Sequence, residues 1–127
     1  MKKQRIYLDT SVFGGYFDDE FQEFTKPLFE RINKGEYTII FSTMEETDIA
    51  VELATEYISE NVVGKTSYPD CLHIALATIN QADILVSWNF KHIVNVERIR
   101  GYNSINIRNG YRQLDIRSPR ELMNYGN

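Results

Sequence analysis

Short apolar segments with strand propensity alternate along this chain with longer segments of helical periodicity. The strand candidates occupy residues 5–8, 37–41 and 84–86, and each is rich in β-branched, aromatic or other large apolar side chains. Residues 84–86 are continuously apolar, which is typical of a strand buried on both faces of a parallel sheet. Strands that alternate with helices predict an α/β sandwich in which a mostly parallel central sheet is flanked by helices.

The predicted helices are recognised by apolar spacing and by the residues at their ends. A central helix opens at Ser67, a good N-cap, with Pro69 in its first turn and Asp70 where the helix dipole favours a negative charge. Residues 12–16, which include Gly14 and Gly15, are expected to form a flexible turn or a point of close backbone approach. Helices are predicted at 21–34, at 45–60 (with Ile49, Leu53 and Tyr57 on its apolar stripe) and at 90–100 (ended by Gly101). Short strands are predicted at 105–107 and 114–116, and a last helix begins at Pro119 with a capping box of Ser118 and Glu121.

Length and composition limit the classes of protein to which this chain could belong. The 127 residues fit one domain, residues 1–127, and 43% apolar with 25% charged residues is ordinary for a globular chain. Cys71 is the only cysteine, so an intramolecular disulfide is excluded and a reducing compartment is expected. No apolar run approaches the roughly 20 residues of a membrane span, and no signal-peptide pattern follows the basic start. We therefore expect a cytoplasmic protein.

The charged residues are distributed unevenly. Residues 18–60 hold twelve acidic and three basic side chains, whereas residues 91–120 hold seven basic and two acidic ones. The basic segment 91–120 could bind phosphate, an acidic partner or the acidic segment 18–60 of the same chain. Charge alone leaves these alternatives open.

Asp9 and Asp70 are the first candidate site residues. Asp9 follows the first predicted strand, Asp70 opens the central helix, and the carboxyl edge of a parallel sheet is where ligands bind. Converging carboxylates favour a divalent cation such as magnesium or manganese, and without one the pKa of at least one carboxyl should be raised. In the structural alternative Asp9 caps the following turn and Asp70 only complements the helix dipole.

Other chemistry-bearing side chains have simpler interpretations. His92 beside Lys91 could act as a base, but a histidine next to a lysine more often lies at the surface or in contact with the metal ligands from outside their shell. His73 lies one helical turn from Asp70 and is expected to be packed or hydrogen-bonded, and Cys71 to be buried. The sequence contains no glycine-rich phosphate loop, zinc-ligand spacing or catalytic Ser-His-Asp arrangement.

Three segments resemble the PIN domain family, in the family's order. They are Ile-Tyr-Leu-Asp-Thr-Ser at 6–11, Tyr-Pro-Asp-Cys-Leu-His-Ile-Ala at 68–75 and Ala-Asp-Ile-Leu-Val-Ser-Trp-Asn-Phe-Lys-His at 82–92, and residues 109–111 and 118–121 are also similar. The resemblance covers nearly the whole chain. It implies a PIN-like sandwich.

Many PIN domains are Mg²⁺- or Mn²⁺-dependent ribonucleases, and bacterial members are often VapC-type toxins held by an antitoxin protein. By this resemblance Asp9 matches the first acid, Asp70 the third, and Asn89 the fourth position, which is usually Asp. Ser87 matches the Ser or Thr that precedes this fourth position in the family. The second acid is a Glu after the second strand, where Glu46 and then Glu45 are nearest, and this part of the chain is shorter than the family pattern.

The resemblance implies a ribonuclease that hydrolyses RNA phosphodiesters. Asp9, Asp70 and Glu46 are then the expected metal ligands, and with Asn89 the expected catalytic residues. Ser11, Ser87 and Lys91 are the expected substrate-binding residues. The alternative is a catalytically impaired, shortened PIN-fold protein that serves as a binding or dimerisation module. Because the shortening should leave an apolar face uncovered, we expect a homodimer that buries residues 41–57.

Overall fold

The computed structural model describes residues 3–40, 47–62 and 67–125, and within them a four-stranded parallel sheet forms the centre of the fold. Its strands lie in the order β2-β1-β3-β4, and every neighbouring pair is parallel. The predicted α/β class with a parallel sheet is therefore confirmed. The strands are β1 (Gln4–Leu8), β2 (Tyr37–Ile40), β3 (Ile84–Val86) and β4 (Asp115–Arg117).

Helices cover both faces of the sheet, because the strands bury apolar side chains on both. Tyr7, Leu85 and Ile116 are paired in register and face one layer of helices. Ile6 and Ile84 alternate with them and face the other layer. The first layer contains α3 (Asp48–Ser59), α4 (Tyr68–Ile79) and α5 (Val96–Arg108), and the second contains α1 (Thr10–Gly15), α2 (Gln22–Asn33) and α6 (Pro119–Tyr125).

Side-chain caps explain where several helices begin. Thr47 Oγ1 accepts a hydrogen bond from the Ala50 backbone N–H at 3.2 Å at the start of α3. At α6 the predicted capping box is present, because Ser118 and Glu121 each accept a bond from the other's backbone N–H at 3.2 Å. These local bonds satisfy amides that the first helical turn leaves free.

Two predicted boundaries were wrong around α5. The predicted helix at 90–100 begins only at Val96, after the Asn95 cap, and does not end at Gly101. It continues through the segment predicted as a strand at 105–107 because the apolar side chains there follow helical spacing. A Cβ on Gly101 would lie 2.8 Å from Cγ1 of Val62, so this glycine permits close packing inside the helix.

Three further expectations need correction. Residues 12–15 belong to the helix α1, which Asp9 caps, and not to a turn. The alternative for this segment, a close backbone approach, is present at Gly15, where a Cβ would lie 2.7 Å from Trp88 Nε1. Ser67 precedes α4 as predicted but makes no capping side-chain bond, and its buried Oγ has no hydrogen-bond partner among the described residues. On α3, Leu53 is buried as predicted, whereas Ile49 is 55% exposed.

None of the described helices is long and apolar enough to span a membrane.

Candidate functional site

The candidate site lies where the chain leaves the adjacent strands β1 and β3 toward opposite faces of the sheet. From β1 the chain enters α1 and α2, and from β3 it proceeds to α5 on the other face. Leu8 pairs with Val86, and the Asp9 backbone N–H donates to the Val86 carbonyl at 3.2 Å. In open parallel sheets such a switch point forms the crevice in which ligands bind.

Asp9 is held at this crevice by three hydrogen bonds. Its Oδ1 accepts from the Ser11 backbone N–H at 3.0 Å and from Ser11 Oγ at 2.5 Å, while its Oδ2 accepts from Ser87 Oγ at 2.5 Å. The residue is only 3% exposed. Asp9 therefore does cap the following helix, as the structural alternative proposed, and its carboxylate is also fixed in orientation beside β3.

The segment after β3 is bonded to the same group of side chains. The Trp88 backbone N–H donates to Ser11 Oγ at 2.9 Å, and the Asn89 backbone N–H donates to Ser87 Oγ at 2.9 Å. Asn89 Oδ1 accepts from the backbone N–H groups of Lys91 at 3.2 Å and His92 at 3.0 Å. The two serines thus join the ends of β1 and β3, and the Asn89 carbonyl oxygen caps the turn that follows.

The Trp88 ring supports this segment from beneath. It stacks on Phe21 with ring centroids 4.4 Å apart, and its Nε1–H donates to Thr25 Oγ1 at 2.9 Å. A Cβ on Gly15 would lie 2.7 Å from Trp88 Nε1, so α1 approaches the ring as closely as its glycine allows. The polar residues on either side of Trp88 are consequently attached to a packed layer.

Asp70 completes the cluster from the first turn of α4. Partial burial is the main reason that its pKa is raised, and the charge of Asp9 raises it further. The charge of His92, a hydrogen bond from the Asn89 side chain and the charge of His73 act in the opposite direction. The influence of Asp9 and Asn89 on the pKa of Asp70 indicates that these three residues lie near one another at the carboxyl end of the sheet.

Two histidines lie on the α4 side of the cluster. The Tyr7 hydroxyl and His73 Nδ1 are hydrogen-bonded at 2.8 Å, so His73 is anchored as expected. His92 is half-buried, its backbone carbonyl accepts from the Tyr102 hydroxyl at 2.7 Å, and its Nδ1 has no hydrogen-bond partner within the described part of the chain. From the sequence, His92 was expected to lie at the surface or outside the shell of metal ligands. Its charge lowers the pKa of Asp70, and this effect places His92 near the site.

The other predicted site residues are less well placed or lie outside the described residues. Glu46 and Glu45 fall in the range 41–46, which the structure does not describe. The Lys91 side chain is exposed on the turn that Asn89 caps. Across residues 3–40, 47–62 and 67–125, no group of three or more His, Cys, Asp or Glu side chains is arranged to hold a metal ion.

The donor set nevertheless suits a hard cation. Mg²⁺ keeps several water ligands and is commonly bound through only one or two carboxylates. Asp9 and Asp70 supply two carboxylates whose mutual repulsion a cation would relieve, and the Asn89 amide stands beside Asp70. The side chains present thus fit a magnesium or manganese ion that retains much of its water shell.

Comparison of the chain with known protein families, with curated proteins and with solved structures finds no match in any of the three. The resemblance of residues 6–11, 68–75 and 82–92 to the PIN domain family accordingly stays a prediction.

Proposed function

We propose that this protein is a divalent-metal-dependent ribonuclease of the PIN domain, VapC toxin type, which hydrolyses RNA phosphodiesters. The observation that supports it most is that Ser11 and Ser87 fix the Asp9 carboxylate between the ends of β1 and β3. Asp70 and Asn89 lie near this carboxylate, since Asp9 and Asn89 both affect the pKa of Asp70. These residues come from three separate segments, and each of those segments carries one of the motifs that resemble the family. An antitoxin protein would be its regulatory partner.

In this proposal Asp9 and Asp70 hold Mg²⁺ or Mn²⁺, and Glu46 takes the place of the family's second acid. The bound ion would activate water and neutralise charge on a phosphoryl oxygen. Ser11 and Ser87 keep the Asp9 carboxylate in one orientation through their 2.5 Å hydrogen bonds, so little rearrangement is needed on binding.

The remaining residues would bind substrate and position the acids. The Asn89 side chain, whose hydrogen bonding lowers the pKa of Asp70, would orient that carboxylate within the crevice. Lys91, exposed on the neighbouring turn, is placed to contact the RNA backbone without reading its sequence. Because the Asp70 pKa is raised, a cation that lowers it would favour the charged, ligating form.

Thermal denaturation with added Mn²⁺ tests the site directly. A ligand that binds only the folded state raises the melting temperature, so Mn²⁺ should stabilise the wild-type protein and not Asp70→Asn. Glu30→Gln, which changes an exposed carboxylate on α2, is the matched control and should respond like the wild type. Equal Mn²⁺ shifts in wild type and Asp70→Asn would overturn the metal site.

Cleavage of a fluorescent single-stranded RNA tests the activity separately. Wild-type protein and Glu30→Gln should cleave it only with Mg²⁺ or Mn²⁺, and Asp70→Asn should not. A protein that binds Mn²⁺ through Asp70 but never cleaves RNA would contradict the ribonuclease and favour the second candidate.

The second candidate function is a catalytically impaired, shortened PIN-fold protein that binds a partner or a second copy of itself. Two observations favour it: Ile49 on α3 is 55% exposed, and Asn89, which carries no charge, already uses its carbonyl oxygen as a cap. Light scattering at micromolar concentration should then show a homodimer that Ile49→Asp dissociates. A monomeric wild-type protein would exclude the dimerisation module.

A further inference from the structure

A surface cavity of about 510 Å³ lies at the opposite end of the sheet from Asp9 and Asp70. It is found beside the first residues of β1, the residues that precede β3 and the end of α4, whereas the candidate metal centre is at the carboxyl ends of the same strands. The side chains that line the cavity are predominantly polar or charged: Lys3, Gln4, Arg5, Gln81, Asp83 and Arg112.

Two arginines of the cavity are anchored on the backbone carbonyl groups of the two residues that follow α4. Arg5 Nη2 donates to the Asn80 carbonyl at 3.0 Å, and Arg112 Nη2 donates to the Gln81 carbonyl at 2.9 Å. A guanidinium group has five N–H donors, so one such bond leaves others available for a further acceptor. Anchoring also reduces the side-chain entropy that these arginines would lose on binding a ligand.

The cavity carries more positive than negative charge. Among the described residues, Lys3, Arg5 and Arg112 contribute three cations to the lining and Asp83 contributes one carboxylate. Asp83 is already engaged, since its Oδ2 accepts from the Arg5 backbone N–H at 2.7 Å and its Oδ1 lies 3.9 Å from Arg112 Nη1. The surplus of guanidinium and ammonium groups favours an anion, and the planar guanidinium matches phosphate geometry particularly well.

Gln81 adds an uncharged residue to the lining of the cavity, at the end of α4. Gln81 has a φ of 58°, in the left-handed region that glycine usually occupies after a helix. The Ala82 N–H to Ala77 carbonyl bond at 2.9 Å shows the standard helix ending that demands this conformation. Gln81 is one of the residues that line the cavity, and its side-chain amide could donate to an anion there.

We propose that this cavity binds a phosphate group through Arg5, Arg112, Lys3 and the Gln81 amide. The phosphate belongs either to a small phosphorylated ligand or to the backbone of an RNA strand. The site is separate from the metal centre and does not depend on ribonuclease activity.

Isothermal titration calorimetry with inorganic pyrophosphate tests the site in the presence of EDTA, which keeps divalent metal out of the other site. Arg112→Gln should weaken binding about tenfold, as expected for the loss of a charge-assisted contact. Arg100→Gln, at an exposed position of α5 outside the cavity, is the matched control and should bind like the wild type. Asp70→Asn should also bind normally, which separates this site from the metal centre.

Gln81→Gly provides a second variant that should fold at least as well as the wild type, because glycine removes the backbone strain. It should nevertheless bind pyrophosphate more weakly. Wild-type affinity in both Arg112→Gln and Gln81→Gly, or no binding by the wild type at millimolar pyrophosphate, would overturn the proposal.

A single-stranded RNA oligonucleotide distinguishes the two sources of phosphate. If the cavity holds the RNA backbone, Arg112→Gln should weaken oligonucleotide binding and lower its salt dependence by about one counterion. If it holds a small ligand, Arg112→Gln should bind pyrophosphate about tenfold more weakly but retain the oligonucleotide affinity of the wild type.

Discussion

The Ser87 hydroxyl donates to Asp9 Oδ2 at 2.5 Å and joins the ends of two parallel strands that are far apart in the chain. The same Ser87 oxygen accepts from the Asn89 backbone N–H at 2.9 Å. One buried hydroxyl therefore positions both an acid and the amide-bearing residue of the candidate site. This dual contact makes Ser87 a positioning residue whose loss should affect stability as well as function.

Ser87→Ala should lower the free energy of unfolding by about 1–3 kcal/mol, because it leaves a buried carboxylate oxygen and a backbone N–H without their partner. Urea denaturation at pH 7 measures this change. Ser104→Ala, at an exposed position of α5, is the control and should alter stability by less than about 0.5 kcal/mol. A Ser87→Ala protein as stable as this control would show that the hydroxyl does not support the cluster.

Asp70→Asn should stabilise the metal-free protein at pH 7. The folded-state pKa of Asp70 is raised by burial and by the charge of Asp9, so the folded protein binds the Asp70 proton more tightly than the unfolded chain does. The contribution of protonated Asp70 to the free energy of unfolding is therefore fully present below the ordinary pKa of 3.8. It is lost as the pH rises through the higher pKa that Asp70 has in the folded protein. The difference in free energy of unfolding between Asp70→Asn and the wild type should therefore become smaller as the pH falls to 3.8.

Urea denaturation of wild type and Asp70→Asn across this pH range, with EDTA present, measures the effect. Glu30→Gln should show no comparable pH-dependent gain. If Asp70→Asn is destabilised equally at every pH, the carboxylate has a structural role that outweighs its electrostatic cost.

Gly101→Ala should destabilise the protein even though alanine is the better helix former. The gain in helix propensity is about 1 kcal/mol, whereas the added Cβ would lie 2.8 Å from Val62 Cγ1, and overpacking of this kind costs about 1–3 kcal/mol. Val62→Ala combined with Gly101→Ala should restore part of the loss. Thermal denaturation of the single and double variants tests this, and an additive double variant would show that the two positions do not compete for space.

Tyr57→Phe should cost about 1–3 kcal/mol, because it leaves a buried acceptor without its donor. The Tyr57 hydroxyl donates to Asn106 Oδ1, and Asn106 Nδ2 donates in turn to Thr78 Oγ1 at 3.1 Å, so the chain of bonds links α3, α5 and α4. Asn106→Leu should be strongly non-additive with Tyr57→Phe in a double-mutant cycle. Simple additivity of the two changes in unfolding free energy would argue against this network.

The fold class and several elements followed from local signals in the sequence. The continuously apolar run at 84–86 predicted β3, and Ser118 with Glu121 predicted the start of α6 through bonds within one helical turn. Such features depend on residues close in the chain, so they are visible without the tertiary structure. Asp9 and Asp70 were selected in the same way, as acids at element ends.

Contacts between distant segments decided the rest. Gly101 by itself predicts the end of a helix, yet α5 continues through it, and the glycine lets Val62 from another segment pack closely against the helix. Asp9 meets Ser87 because the parallel register of β1 and β3 aligns Leu8 with Val86, and Asp70 joins them because α4 packs on that face. Arg5 and Arg112 become neighbours of one cavity for the same reason. Local propensity determines where elements form, but only burial and strand register determine which side chains share a site.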